Sequence, residues 1–412
     1  MPHPEPSARR LRHGIRGLPA VATGDGAVAG LAAATGVTGI ATSVVVTTAS
    51  LFLADAVHAA PLMIGLFFAG RGVAEVGTDL AIGVVSDRLR SRRALLALCC
   101  VLSALGALSY LLLRNYYALF VTGALFFGTG GASFAQVFAY TSEFARARGY
   151  SVTGFNSVLR AVNSAAWVLG PPVGFYLLSR ASFASVYGMV AVLYVAGAAL
   201  CQWALPLVPG QACLDPGERD GRGFRQPFAG LSAKTYLLLG SVLLLAAVTS
   251  IYQIVIALHV TKDLRLDTVV TGWLMGLCAA LEIPAAILIG ARAERIGKLR
   301  LTAVAAAGAA LFSCALPFAV SVPALLALQI PNAAWTAVVM SIPVVLLQED
   351  VPDRVGVASS LYAMAFKGGV LLGGSVAGVT AAAVGYVNVF WVSAGLAAAA
   401  ALLLMARAWR PG

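Results

Sequence analysis

Long apolar stretches, broken by short polar or charged segments, recur along the whole chain. Runs bounded by charges or turn residues cover about 27–53, 61–85, 94–113, 116–140, 153–178 and 183–205, then 235–259, 269–291, 301–320, 322–347, 357–380 and 383–406. Each holds roughly 20 residues or more, the length that carries an α-helix across the hydrocarbon core of a bilayer. None alternates with period two, which sets aside a transmembrane β-barrel. The pattern predicts twelve transmembrane helices and an all-α polytopic membrane protein. Arg9, Arg10, Arg12 and Arg16 precede the first run in the manner of a signal peptide. A run from Ala27 to Leu53 is too long for a signal core, however, and reads as the first span.

The longest polar segment, 206–234, carries Pro206, Pro209, Gly210, Pro216, Gly217, Gly221 and Gly223 among mixed charges and reads as a flexible linker. It divides the chain into a basic N-terminus (1–26), a six-helix half (27–205), the linker (206–234), a second six-helix half (235–406) and a short C-terminus (407–412). The halves are related. Gly83-Val-Val-Ser-Asp87-Arg88 follows the second run, and Gly290-Ala-Arg-Ala-Glu294-Arg295 follows the eighth, 207 residues later. An internal repeat of six helices is a mark of secondary transporters, whose substrate sites lie near the bilayer midplane between the repeats.

Composition narrows the class. With 60% apolar and 11% charged residues, the chain cannot cover the surfaces of soluble domains, which excludes a soluble enzyme, a disordered protein and a nucleic-acid binder. The net charge of +11 is an orientation device. If the N-terminus is inside, the inner segments hold 21 basic residues and the outer loops hold four (Arg114, Arg180, Lys262 and Arg265). The chain is therefore expected in the cytoplasmic membrane with both termini cytoplasmic. Cys99, Cys100, Cys201, Cys278 and Cys314 lie in apolar runs and Cys213 in the linker, with no disulfide framework and no Cys/His ligand spacing. No P-loop is present, so ATP does not drive this chain directly. The linker offers Asp215, Glu218 and Asp220 but no His or nucleophile context, so an enzyme, a metal site and a cofactor are not expected.

The repeated Gly-x-x-x-acid-Arg loop resembles the signature of the major facilitator superfamily. A narrower resemblance joins it. Val158-Leu-Arg160-Ala-Val-Asn-Ser-Ala-Ala-Trp167-Val-Leu-Gly170-Pro171-Pro172 is similar to the fifth span of the bacterial sugar efflux transporter family, and Trp273-Leu-Met-Gly-Leu-Cys-Ala-Ala-Leu-Glu282-Ile-Pro284-Ala to its eighth. The stretches Leu51-Phe-Leu, Ile64-Gly-Leu-Phe-Phe, Leu347-Gln348-Glu-Asp-Val-Pro352, Gly374-Ser-Val-Ala-Gly378 and Val389-Phe-Trp391 add to it, so both halves are covered. The resemblance implies a major facilitator fold of two pseudo-symmetric halves, and proton-driven export of sugars or glycosides across the cytoplasmic membrane; the protein is expected to be a monomer. A proton-driven multidrug or metabolite pump of the same fold is the alternative. Arg71, Glu75 and Asp79 in the second span depart from the family's pattern.

Six ionisable residues lie deep within spans: Arg71, Glu75 and Asp79 in the second, Arg160 in the fifth, Glu282 in the eighth and Lys367 in the eleventh. Such groups are costly in a bilayer and usually functional. In the superfamily's architecture the second span meets the eleventh and the fifth meets the eighth. Glu75 and Asp79 are then expected to face Lys367, and Arg160 to face Glu282, with Glu282 the first choice for a proton carrier. A sugar site needs amides and an aromatic face. Gln136, Asn156, Asn163 and Trp167 in the first half, with Tyr252, Gln253, Gln329, Asn332, Trp335 and Tyr362 in the second, are the candidates. Helix–helix hydrogen bonding is the plainer use of the same residues. Gly170, Pro171 and Gly174 form a candidate hinge. Gly83, Asp87 and Arg88, with Gly290, Glu294 and Arg295, form a candidate conformational latch.

Overall fold

A computed structural model describes residues 26–86, 91–131, 133–208 and 231–409. The first half contains α1 (Gly26–Asp55), α2 (Pro61–Ser86), α3 (Arg93–Leu112), α4, α5 (Val152–Arg180) and α6 (Phe183–Trp203). The second contains α7 (Ala233–Leu258), α8 (Thr268–Gly290), α9 (Lys298–Ala315), α10, α11 (Val355–Val384) and α12 (Tyr386–Trp409). Two are composite: α4 runs through Tyr116–Thr122, a π turn at Gly123–Phe127, Gly128–Gly131 and Ser133–Ala147, and α10 through Val322–Ala327 and Gln329–Asp350. Helix starts are capped by side-chain oxygens, as the orphan amides of a first turn require: Asn115, Ser151, Ser182, Ser232, Asp267 and Ser321 each accept a backbone N–H.

Among the described residues, ten helices are long and apolar enough to cross a membrane, which makes this a multi-pass membrane protein. The two expected spans outside that set have identifiable reasons. Arg71, Glu75 and Asp79 lower the hydropathy of α2, and α4 is interrupted by its π turn. The fourth helix also runs to Ala147, beyond the apolar limit at 140, because polar and charged Thr141, Ser142, Glu143 and Arg146 continue the same helix. Helix α12 starts at Tyr386, later than 383, because Gly385 adopts a positive φ of 87° and breaks the chain direction there.

The halves repeat each other in packing. Helix α1 packs on α5 and α6, and α3 on α6; their counterparts α7 with α11 and α12, and α9 with α12, do the same. Between the halves, α2 packs on α11, α5 on α8 and α1 on α7. Small residues make these approaches possible. The backbone of Gly65 on α2 lies against Gly374 and Gly378 on α11, leaving no room for a side chain at position 65. Gly272, 207 residues after Gly65, packs its α-carbon face against Pro171 and Pro172 on α5, where an added Cβ would stand 3.0 Å from both the Pro171 carbonyl oxygen and the Pro172 Cα. His58 and Arg265, again 207 apart, share a φ of 55° in the loops after α1 and α7.

These contacts all gather at one end of the bundle, here termed distal; the proximal end is where α1 begins and α12 ends. Asp55, at the end of α1, pairs with Lys262, in the π turn that continues α7. These two are themselves 207 residues apart. A position meets its own equivalent only on a two-fold axis. The pair therefore marks the pseudo-axis at the centre of the distal mouth. Toward the proximal end the packing loosens. A Cβ on Gly72 would find Leu371 at 3.7 Å, and one on Gly77 or Gly290 would find nothing within 4 Å. The halves pack most tightly at the distal end and more loosely toward the proximal end, where Asp79 of α2 still reaches Lys367 of α11.

Candidate functional site

Four of the six charges expected within spans form two pairs on α2, one within the helix and one to α11. Arg71 Nε donates to Glu75 Oε1 at 2.8 Å, one helical turn away, and the guanidinium lies over the Phe127 ring at 5.5 Å. Phe127 ends the π turn of α4, so that irregularity positions the ring beneath the cation. One turn further along α2, Asp79 pairs with Lys367 of α11. The expected cluster thus forms with its partners redistributed: Lys367 takes Asp79, while Glu75 takes Arg71. The i,i+4 pair on one helix needs no alignment between halves, which is why it captures Glu75.

The other expected pair does not form. Helices α5 and α8 pack together, yet Arg160 and Glu282 make no ion pair within 4.0 Å; Arg160 is exposed and points its guanidinium at the Phe138 ring, 6.0 Å from its centroid. The guanidinium is turned instead to the Phe138 ring of α4, within its own half. Glu282 is left partly buried, with no cation and no hydrogen-bond donor among the described residues. Pro284 follows two residues later inside α8 and removes the N–H that would bond the Ala280 carbonyl. A solitary carboxyl and a freed carbonyl so share one turn of α8.

The amide and aromatic candidates divide sharply once their partners are known. Gln136 accepts from Arg92 Nη1 at 2.7 Å, and the same guanidinium donates Nε to Glu143 at 2.9 Å, all three being buried. Gln136 is therefore engaged in a proximal-end anchor with Arg92 and Glu143. Glu143 follows it by seven residues, two turns of one α4 face, a spacing that could have exposed the triad in the sequence. The second half has a counterpart: Lys298 contacts Glu349 at 2.5 Å and Glu294 at 2.6 Å, and both Lys298 and Glu349 stand 206 residues after Arg92 and Glu143. Removing one member of a buried ion pair costs about 3–5 kcal/mol, whereas replacing both by apolar groups is often neutral. Arg92→Ala is expected to lower thermal stability by that amount in detergent, with Arg92→Met/Glu143→Leu recovering most of it in the same unfolding assay.

Tyr252, Gln329 and Asn332 also bond to one another. The Tyr252 hydroxyl and Asn332 Nδ2 both donate to Gln329 Oε1 at 2.9 Å, inside the second half. Trp335 is buried beside them, its Nε1 without a partner. The Tyr362 hydroxyl donates to the Val339 carbonyl at 3.1 Å, which Pro343, four residues on, has deprived of its helical N–H. Asn156 is half engaged, donating to Ser142 at 3.2 Å with its carbonyl oxygen buried and unpaired. Asn163 and Trp167 on α5 and Gln253 on α7 remain: all three are partly exposed, and their side chains have no hydrogen-bond partner among the described residues.

The remaining expected features are as follows. In the Gly170-Pro171-Pro172-Val-Gly174 run, Gly170 and Gly174 admit Ser43 and Val44 of α1, while the prolines face Gly272 and Gly276 of α8. Helix α5 continues unbroken through them. Of the latch residues, Asp87 and Arg88 lie outside the described residues, as do the N-terminal arginines and most of the linker, and Gly83 falls within the last turns of α2. Gly290 closes α8, and Glu294 is held by Lys298 rather than by the exposed Arg295.

Two pseudo-symmetric six-helix halves, packed together with ion pairs between them, define the architecture of a secondary membrane transporter. The Major Facilitator Superfamily model matches residues 31–258 and 237–412. Sugar efflux transporter A of Escherichia coli K12 is 32% identical over 365 residues, 89% of this chain and 92% of that protein. Sugar efflux transporter B of Salmonella typhimurium LT2 is 33% identical over 356 residues, 86% and 88% of the two chains. The chain belongs to the major facilitator superfamily, in its bacterial sugar efflux transporter family. Among solved structures, the nucleoside transporter NupG superposes with a TM-score of 0.81 at 15% identity, over 93% of this chain and 100% of that one. A peptide transporter, POT, crystallised with sulfate, gives 0.72 at 13% identity over 92% and 94%; both likenesses concern the fold.

Proposed function

We propose that the protein exports sugars or glycosides across the cytoplasmic membrane in exchange for protons, by alternating access between its halves. The observation that supports this reading is a set of polar groups on α5, α7 and α8, helices that pack between the halves, which are partly exposed and have no hydrogen-bond partner among the described residues. Asn163 and Trp167 of α5 stand in the first half, and Gln253 of α7 and Glu282 of α8 in the second. Amides match sugar hydroxyls as both donors and acceptors, and the indole face matches the C–H side of a pyranose ring. Two relatives named as sugar efflux transporters support the substrate class.

Tight distal and looser proximal packing of the halves is consistent with one end state of alternating access. The excess of basic residues in the proximal segments supports a cytoplasmic proximal end, so this state would load substrate from inside. Glu282 is the proposed proton carrier: an uncompensated carboxylate is unfavourable in a membrane interior, and protonation relieves it. The test is counterflow of labelled lactose, glucose and simple glycosides in proteoliposomes, with and without an imposed pH gradient. At least one sugar is expected to exchange without a gradient and to accumulate against its concentration with one. Movement of a lipophilic cation with no movement of any sugar would overturn the substrate assignment.

A further inference from the structure

Gly65 and Gly272, Asp55 and Lys262, His58 and Arg265, and Gly83 and Gly290 are matched pairs, each separated by 207 residues. The first three pairs occupy equivalent places in the two halves, as contacts or backbone angles show. The last lies at or near the end of its helix in each case. Helices α2 and α8 are therefore in one register from end to end. On that register Glu75 of α2 corresponds to Glu282 of α8, and Arg71 corresponds to Cys278. The repeat carries a carboxylate at the same depth in both halves, and the residue one turn before it differs: a guanidinium in the first half, a thiol in the second.

We infer that Arg71 silences the first half's copy of a duplicated coupling carboxylate, so that Glu282 alone takes up and releases a proton during transport. The inference rests on the proton-exchange reading above and adds which of two equivalent acids is active and why. A guanidinium in contact supplies the counter-charge that makes an ionised carboxylate tolerable in a low-dielectric interior. Glu75 has this at 2.8 Å, and Lys367 lies in its field as well. Glu282 has neither. The charged and titratable groups on the elements packed around it are otherwise committed or distant. Arg160 of α5 lies beside Phe138, Tyr252 of α7 bonds to Gln329, and Glu349 and Asp350 of α10 are held at the proximal end by Lys298 and Arg407. Cys278 is uncharged in its neutral form and provides no counter-charge.

The step balances simply. The Glu282 carboxylate accepts a proton from the distal medium when the site faces that way, and returns it to the proximal medium after the halves rock. Glu75 remains paired with Arg71, so one proton, not two, is exchanged at this level of the transporter.

The two acids are distinguishable without any substrate. Infrared difference spectra of the full-length protein in lipid, recorded while the pH is stepped, report the C=O stretch of a neutral buried carboxyl. The expected result is a titrating band in the wild type that is lost in Glu282→Gln and retained in Glu75→Gln. Cys278→Arg, which recreates in the second half the pair seen in the first, is expected to abolish the band. Arg71→Ala is expected to add a second band, removed again in Arg71→Ala/Glu75→Gln; Arg71→Gln serves where the alanine variant does not fold. Loss of the wild-type band in Glu75→Gln, or its persistence in Cys278→Arg, overturns the assignment. Because the readout is a carboxyl vibration, it stands or falls independently of which solute the protein carries.

Discussion

Glu282→Gln is expected to abolish accumulation driven by a pH gradient while exchange of labelled substrate continues. A gradient of one pH unit supplies about 1.4 kcal/mol per proton, which at one-for-one exchange sustains about a tenfold concentration ratio. With glutamine at the carrier position no proton returns, so the steady-state ratio in the same vesicles should fall to one. Counterflow needs only binding and rocking, and the neutral amide is nearly isosteric with the carboxyl. The measurement is a pair of assays on one preparation: a tenfold ratio surviving in the variant would remove Glu282 from coupling, and loss of both assays would make it a structural residue.

Locking the distal mouth should stop transport completely and reversibly. Asp55 and Lys262 meet on the pseudo-two-fold axis, where the pathway between the halves must pass. Their side chains are 34% and 44% exposed, so the ion pair contributes about 1 kcal/mol or less and is weak enough to open in each cycle. A covalent bond there is not. Asp55→Cys/Lys262→Cys, in a background whose native cysteines are replaced, is expected to lose counterflow on oxidation and regain it with a reductant. Each single substitution should retain most of the activity. Undiminished exchange by a fully cross-linked preparation would mean that the axis is not the exit.

Sequence reading reached the helices and the positions of the charges within them, and the points where the structure departs from it share a cause. The positions of Arg71, Glu75, Asp79, Lys367, Arg160 and Glu282 are visible because charge stands out against an apolar run, and the repeat that relates Gly83 to Gly290 is visible as a recurring motif. Partner choice is not visible in that way. Glu75 binds Arg71, its neighbour on the same helix, and Arg160 turns toward Phe138; these outcomes depend on how far the halves are parted at that depth. Gln136 looked like a cavity amide because its own helix supplies no partner nearer than Glu143. The arginine that engages both belongs to the start of α3, and only the packing of α3 on α4 brings it there.

The sequence by itself determined a membrane protein of twelve expected spans in two repeated halves, because bilayer thickness and the cost of buried charge act on local runs of residues. It also placed the acids and bases on the four helices that meet between the halves. Tertiary structure alone decided that the bundle is sealed at Asp55 and Lys262, that Tyr252, Gln329, Asn332 and Tyr362 are committed to internal bonds, and that one of two equivalent glutamates is left without a cation. Those are properties of inter-helix distance. Hydrogen bonds and ion pairs change over a few ångströms, which a pattern of apolar and polar positions does not encode.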